Sequence, residues 1–520
     1  LHHGRAMYAC TTKTLQRQFL DDFEYADVLM GRANYPTLDR PHLFPSINAG
    51  DCVKMRGADC SDCRSMTMAF DDDETDDGPD ELSHCRWCHP VAHCPYELAK
   101  GHFLYTETVG VLNTAYMLTE WNGPGRTSKR FDLAIVDEAD ELETELMRFI
   151  EFEMPRSLVR RMRIPTPERK TVREAWVEWA ERYGIPMLGR EVKRLRARVD
   201  PSNPEPKAVR AHKAAKTRLD RLKKIAHAEV DPYEDTLRID EEQAFDGWAY
   251  TGYDQGHIQF KAIDVREDAG AYLWRHAPRF LLMSATIISP DQMAFDLGLE
   301  PSEWAAVRVD SGFPVERRPI FVHPVANMKY SERATAEPAM AEGVADVVRQ
   351  YPGERVLVHT VSYRLANVVV DHLRKVLPER RTVTYSESAE REDAIGRFLS
   401  NRGSVLVASS LQRGVDFPDD QCRVQIVAKV PFPSLGDKQV SARLYSPGGK
   451  SWYGMLTVRS LVQMTGRAMR HEDDWCDTWI LDSQFGSNVW RNSKALIPSW
   501  WAEALEWFPT RVPKGPERWR

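Results

Sequence analysis

No run of about 18 apolar residues occurs in the 520-residue chain, so the sequence offers no helix able to span a bilayer. The opening stretch, Leu1-His2-His3-Gly4-Arg5, lacks the apolar core of a secretory signal. An excess of positive charge is missing as well: 70 Lys and Arg stand against 77 Asp and Glu, a formal net charge of −7. A globally acidic chain is no general binder of polyanions, so any contact with nucleic acid must come from local clusters. No repeat of fixed period is visible, and 29 Gly and 32 Pro are too few for a collagen-like or low-complexity chain. What is present is ordinary for a water-soluble protein, 42% hydrophobic and 28% charged residues. The length allows roughly three to four domains, and an intracellular, cytoplasmic protein is expected.

Cysteine is scarce except in one place. Six of the nine Cys fall between Cys52 and Cys94, and Cys10, Cys422 and Cys476 are scattered. Clustered Cys in a long intracellular chain argue for metal ligation over disulfides. Cys60-x-x-Cys63 and Cys85-x-x-Cys88 are spaced much as in a zinc ribbon, so Zn²⁺ held by four thiolates is the reading from spacing alone.

Patterning along the chain alternates strand and helix. Met7–Cys10, Val109–Leu112, Phe131–Val136 and Arg279–Met283 read as strands, and Leu15–Phe23 as an amphipathic helix. Beyond Pro314 further strands are expected at Val356–His359, Val405–Ala408 and Val424–Val427. Between the two sets, residues 156–224 hold 21 Lys and Arg against 8 acidic residues, which reads as a basic helical block. Pro201 to Pro206 break it into a helical hairpin that Trp176 and Trp179 would pack. Strand–helix alternation on both sides of a helical insert predicts an α/β fold with two parallel-sheet domains.

The most informative residues follow the strand at Phe131–Val136: Asp137-Glu138-Ala139-Asp140. Ligands of open α/β sheets sit beyond the carboxyl ends of strands. Adjacent acids there suit nucleotide hydrolysis, with Asp137 holding Mg²⁺ through water and Glu138 orienting and deprotonating the attacking water. An acidic helix start favoured by the helix dipole is the simpler alternative, but the apolar strand leading into D-E-A-D is more specific than that.

With this motif the chain resembles the superfamily-two helicases, and other landmarks follow in order. Thr11-Thr12-Lys13-Thr14-Leu15-Gln16 resembles the segment that touches the DNA backbone, and Ser284-Ala285-Thr286 the one linking hydrolysis to strand movement. Val356–Thr360 with Ser362-Tyr363 is similar to the first motif of the second motor domain, and Arg413-Gly414-Val415-Asp416-Phe417 to the fifth motif. Gln463-Met464-Thr465-Gly466-Arg467-Ala468-Met469-Arg470 resembles the sixth, with Arg467 and Arg470 three apart on one face of a helix, placed to stabilise γ-phosphate charge. A surface salt bridge to Glu472 or Asp473 is the plainer role for these arginines.

Cys94-Pro95-Tyr96, ending an insert within the first motor domain, narrows the resemblance to XPD/DinG-like iron–sulfur helicases. It implies RecA-like motor domains, ATP and Mg²⁺, and a [4Fe–4S] cluster in place of Zn²⁺. It favours Cys52, Cys85, Cys88 and Cys94 as cluster ligands, with Cys60 and Cys63 as alternates. It implies residues 1–36, 101–155 and 251–312 as motor domain 1, and 37–100 as the cluster insert. Residues 156–250 would be a helical arch-like insert tracking a single strand with its basic face, and 313–520 motor domain 2. Site residues by resemblance are Asp137, Glu138, Gln463, Arg467 and Arg470 for catalysis, and Asp137, Asp140, Gly414 and Asp416 for the nucleotide. Thr12, Lys13, Ser284, Thr286 and Thr360 would serve nucleic acid. The implied function is 5′→3′ unwinding by a monomer on single-stranded and forked DNA, in a bacterial or phage-infected cell.

One landmark has no counterpart. The phosphate-cradling G-x-x-x-x-G-K-S/T should precede Thr11. The sole G-K-S is Gly449-Lys450-Ser451, where Leu444 replaces the first Gly and Pro447 interrupts the approach, so it reads as a loop in the second domain. The expectation is that the chain is truncated at its N-terminus; the alternative is a degenerate, non-catalytic single-strand-binding protein.

Overall fold

The computed structural model describes residues 4–36, 41–46, 48–50, 95–105, 109–122, 131–163, 167, 173–199, 206–226, 244–245, 248–250, 258–309, 311–386, 390–409, 411 and 415–507. The chain forms two compact units, each assembled from more than one stretch of sequence. The first holds Leu1–Ala285, Met293–Ser302 and Leu435–Ser446; the second holds Thr286–Gln292, Glu303–Ser434 and Pro447–Arg520.

The first unit is built on a five-stranded parallel sheet. Its spatial order is Ala26–Val28, Val109–Asn113, Ala6–Cys10, Leu133–Asp137 and Phe280–Met283. Met7, Ala9, Val111, Ala134 and Val136 are buried in it, while Leu281 and Met283 of its edge strand are exposed. Asp137 pairs with Met283 in register. Strand Ala6–Cys10 runs on into Thr11-Thr12-Lys13, Leu133–Asp137 into Glu138-Ala139-Asp140, and Phe280–Met283 into Ser284-Ala285-Thr286.

A second sheet in this unit is antiparallel, in the order Phe152–Met154, Ile258–Ala262, Trp248–Tyr250 and Ala244–Phe245. The segment expected to be a helical insert as far as residue 250 thus ends in strands. Asp246-Gly247, a pair favoured between hairpin strands, separates the last two in sequence. The helices of the insert do form: Arg173–Trp179, Ile185–Arg196 and Pro206–Ala226. Leu188, Leu195, Ala215 and Leu222 are buried on them. Trp176 and Trp179 meet edge to face at 5.1 Å, and Trp176 also meets Phe260 of the antiparallel sheet at 5.3 Å, so both indoles are core side chains.

An excursion from late in the sequence completes the unit. Helix Lys438–Tyr445 is capped by Asp437, which accepts from the Gln439 N–H at 2.9 Å. Its buried Arg443 pairs with Glu143 and, at 2.8 Å, with Asp296. Gln439 Nε2 donates to the Ile263 carbonyl at 2.8 Å, and Arg443 Nη1 to the same oxygen at 3.3 Å.

The second unit carries a seven-stranded parallel sheet. The order is Thr382–Thr384, Val405–Ala408, Val356–His359, Val424–Val427, Asp477–Asp482, Ile320–Ala326 and Leu505–Trp507. Its three strands at Val356, Val405 and Val424 begin and end where the sequence places them. Helices Arg333–Gln350 and Tyr363–Val376 pack on one face through Val344, Val348, Val369 and Leu373. Phe398, Phe417, Ala468 and Met469 cover the other. The expected α/β class with two parallel sheets is the architecture found.

Candidate active site

The acids of the first unit lie at the carboxyl end of strand Leu133–Asp137. Glu138 turns the chain sharply with φ of 50°, a left-handed conformation that costs a non-glycine residue roughly 1–2 kcal/mol. The turn brings its own N–H onto Asp137 Oδ1 at 2.9 Å. The other carboxylate oxygen, Oδ2, accepts the Tyr8 hydroxyl at 2.6 Å from the neighbouring strand. Burial, then the hydrogen bond and charge of Asp137, push the Tyr8 pKa far up, so the hydroxyl stays a donor. Cys10, two residues on, is pushed up to about 12, chiefly by burial and next by the Asp137 charge, so it stays a thiol.

Asp140 is buried and held by Ser284. The Ser284 hydroxyl lies 2.7 Å from Asp140 Oδ1 and 3.2 Å from Glu138 Oε2. Two separate sequence motifs are thereby brought together. Asp137 keeps lone pairs on both oxygens after these two bonds, and Glu138 stands beside it, which fits a hard divalent cation held through water. Thr12 caps helix Lys13–Asp22, its hydroxyl accepting from the Leu15 N–H at 3.3 Å, and Lys13 is exposed at the same helix start.

In the second unit, Gln463 and Thr286 meet, with Gln463 Nε2 donating to Thr286 Oγ1 at 2.9 Å. The division between the units falls between Ala285 and Thr286. Within one motif, then, Ser284 is bonded to the acids of the first unit and Thr286 to Gln463 of the second.

Three expectations need correction here. Arg467 and Arg470 do not share a helix face. Helix Gly449–Thr465 ends at Gly466, whose N–H bonds the Val462 carbonyl, and the arginines follow in irregular chain. Arg467 Nε reaches back to the Gln463 carbonyl at 3.1 Å, and its Nη1 contacts the Val415 carbonyl and Asp416 Oδ1, each at 3.2 Å. Arg470 pairs with the same Asp416 oxygen. Asp416, rather than Glu472 or Asp473, is the carboxylate that gathers both guanidiniums.

Thr360 does not present its hydroxyl to solvent. It is fully buried and donates to the Ala408 carbonyl at 3.2 Å, because the chain is still crossing the sheet top between two central strands. Gly449-Lys450-Ser451 is not a loop: it opens helix Gly449–Thr465 after Gly448, whose φ of 75° makes the turn.

Gly414 and Arg413 lie outside the described residues, as do Cys52, Cys60, Cys63, Cys85, Cys88 and Cys94. Asp419, His471 and Asp474 also cluster. Asp474, however, is taken up by Arg423 and by the N–H groups of Asp419, Arg470 and Trp475, so it has little to offer a cation.

Sequence reading missed Tyr8 and Arg443. Tyr8 looked like one more residue of an apolar strand. Arg443 and its two carboxylates are too far apart in sequence for any motif to join them.

The first unit gathers carboxylates at the end of one parallel strand, and the second gathers two arginines on Asp416. Over 97% of this chain and 92% of the other, the fold superposes on a solved XPD helicase with a TM-score of 0.52 at 15% identity. Residues 344–504 match the helicase C-terminal domain family. The ATP-dependent DNA helicase CHL1 of Saccharomyces cerevisiae is 24% identical over 165 residues, covering 27% of this chain and 18% of that protein. The Fanconi anemia group J protein homolog of Gallus gallus is 32% identical over 109 residues, 18% of this chain and 9% of that protein. The matched stretch thus spans under a fifth of either curated relative. Residues 344–504 thus resemble a helicase C-terminal domain, and the likeness of the whole chain to XPD is one of fold.

Proposed function

We propose that the chain is the motor of an ATP-dependent DNA helicase. The observation that carries this reading is the bonded set Tyr8–Asp137–Glu138–Ser284–Asp140 at the end of a parallel strand. Asp137, fixed by Tyr8 and the Glu138 amide, would hold Mg²⁺. Bound Mg²⁺ supplies charge neutralisation on the nucleotide phosphates. Glu138 orients the attacking water and takes its proton. Arg467 and Arg470 exchange Asp416 for the γ-phosphate and stabilise its developing charge. Ser284 and Thr286, bonded to opposite partners within three residues, pass the change at the acids to Gln463 and the arginine segment.

The nucleic-acid side of the proposal has Thr12, Lys13 and the basic helical insert following the phosphates of a single strand, with 5′→3′ movement by family resemblance. The Cys-rich insert would hold a [4Fe–4S] cluster through four of its thiolates, forked DNA would be the substrate, and the motor works as a monomer. On this reading Thr360 supports the strand end and does not contact a phosphate.

The test is phosphate release from ATP with and without single-stranded DNA. Glu138→Gln is expected to lower the DNA-stimulated rate by roughly 10²–10⁴-fold while ATP still binds by calorimetry. ATP binding with no turnover even in the unsubstituted full-length protein would favour the non-catalytic clamp instead.

A further inference from the structure

Tyr8 lies one strand away from the acidic motif, and the family matches assign it nothing. Strands Ala6–Cys10 and Leu133–Asp137 are hydrogen-bonded neighbours in the order Ala6↔Leu133 to Ala9↔Val136. That register sets Tyr8 opposite Ile135, two residues short of Asp137. A tyrosine is long enough to cover the gap, and its hydroxyl ends 2.6 Å from Asp137 Oδ2. The ring is fixed from the other side by Phe19 of helix Lys13–Asp22, with centroids 4.3 Å apart. The hydroxyl therefore has little freedom to point elsewhere.

We propose that Tyr8 is a positioning residue for the divalent cation: it clamps Asp137 in the rotamer that binds the metal shell. The proposal rests on reading Asp137 as the metal-binding acid. Asp137 Oδ1 is already set by the Glu138 amide at 2.9 Å, so the Tyr8 bond is what removes the remaining rotation about the carboxylate. Partners of this kind orient first ligands, and their loss commonly lowers metal affinity or activity 10–100-fold. The Tyr8 bond also joins the strand leading into Thr11-Thr12-Lys13 to the acid, so the segment proposed to touch DNA and the metal ligand share one rigid link.

The experiment titrates the full chain with Mn²⁺, following the free ion by electron paramagnetic resonance, alongside thermal melting. Tyr8→Phe keeps the ring and its contact with Phe19. It is expected to raise the Mn²⁺ half-saturation concentration about tenfold with the melting temperature unchanged. Phe19→Leu disturbs the packing alone and should leave half-saturation as it was. Asp137→Asn should abolish saturable binding. If Tyr8→Phe titrates like the parent, or binds more tightly, while Asp137→Asn loses the ion, the clamp is wrong and the metal site stands. If Asp137→Asn also titrates like the parent, the metal reading fails and takes the clamp with it.

Discussion

His359 ends a strand in the middle of the seven-stranded sheet, on the face shared with Gln425. Neither ring nitrogen makes a hydrogen bond of normal geometry. Burial pushes its pKa down from 6.5 to about 4; the Arg467 charge adds to the shift, and the Gln425 amide opposes it. The sign follows directly. In the unfolded chain His359 takes a proton as pH falls through its ordinary value near 6.5, whereas in the folded chain it resists until about 4. Its contribution is complete above pH 6.5 and is lost on the way down to 4, by up to about 3 kcal/mol. Urea unfolding at pH 7.5 and pH 5 should show this loss in the parent and a shallower one in His359→Leu. Equal slopes in the two proteins would contradict the assignment. The same residue illustrates what sequence alone conceals: Val356–His359 is legible as a strand, but the neutral state of its last side chain depends chiefly on its complete burial in the folded sheet, with Arg467, more than a hundred residues later, adding to it.

At the scale of elements, long apolar runs were legible to the residue because they are buried on both faces, where a shift in either direction would expose or bury the wrong groups. Val356–His359, Val405–Ala408 and Val424–Val427 are of this kind. The antiparallel sheet was not legible: its strands are two to five residues long, within a region whose charge pattern reads as helix. The arginine segment failed for another reason. Its three-residue spacing fits a helix, but Gly466 ends the helix first. A glycine also fixes the end of helix Pro290–Asp296. Gly298 has φ of 68°, and a Cβ there would sit 2.4 Å from the Arg266 carbonyl oxygen. Gly353 has φ of 86° with nothing within 4 Å of the same position. Gly353→Ala should therefore lose only the left-handed strain, about 1 kcal/mol, and Gly298→Ala that strain plus displacement of backbone, at least about 2 kcal/mol more. Chemical denaturation of the two variants checks the difference; equal losses would mean that the Arg266 carbonyl yields freely.

At the scale of the whole molecule, the two units are interwoven in sequence. Residues 435–446 leave the stretch that builds the second sheet and place buried Arg443 between Glu143 and Asp296 of the first unit. Two buried carboxylates without their guanidinium are costly, so neither unit is a simple N- or C-terminal half. The motif order Asp137, Ser284, Thr286, Asp416, Gln463, Arg467 and Arg470 was readable in sequence because each stands in a short run of characteristic residue types. The bonds that unite them, Ser284 with Asp140 and Glu138, Thr286 with Gln463, and both arginines with Asp416, required the fold. The proposed motor uses Glu138 and Arg470 in one reaction, the hydrolysis of ATP. Its most direct test is DNA-stimulated phosphate release in Glu138→Gln, Arg470→Ala and the double variant. Groups acting on one transition state are strongly non-additive. Each single change should therefore lower the rate by roughly 10²-fold or more, with the double variant no slower than the slower single. Effects that multiply in the double variant, or an Arg470→Ala protein that keeps the parent rate, would contradict it.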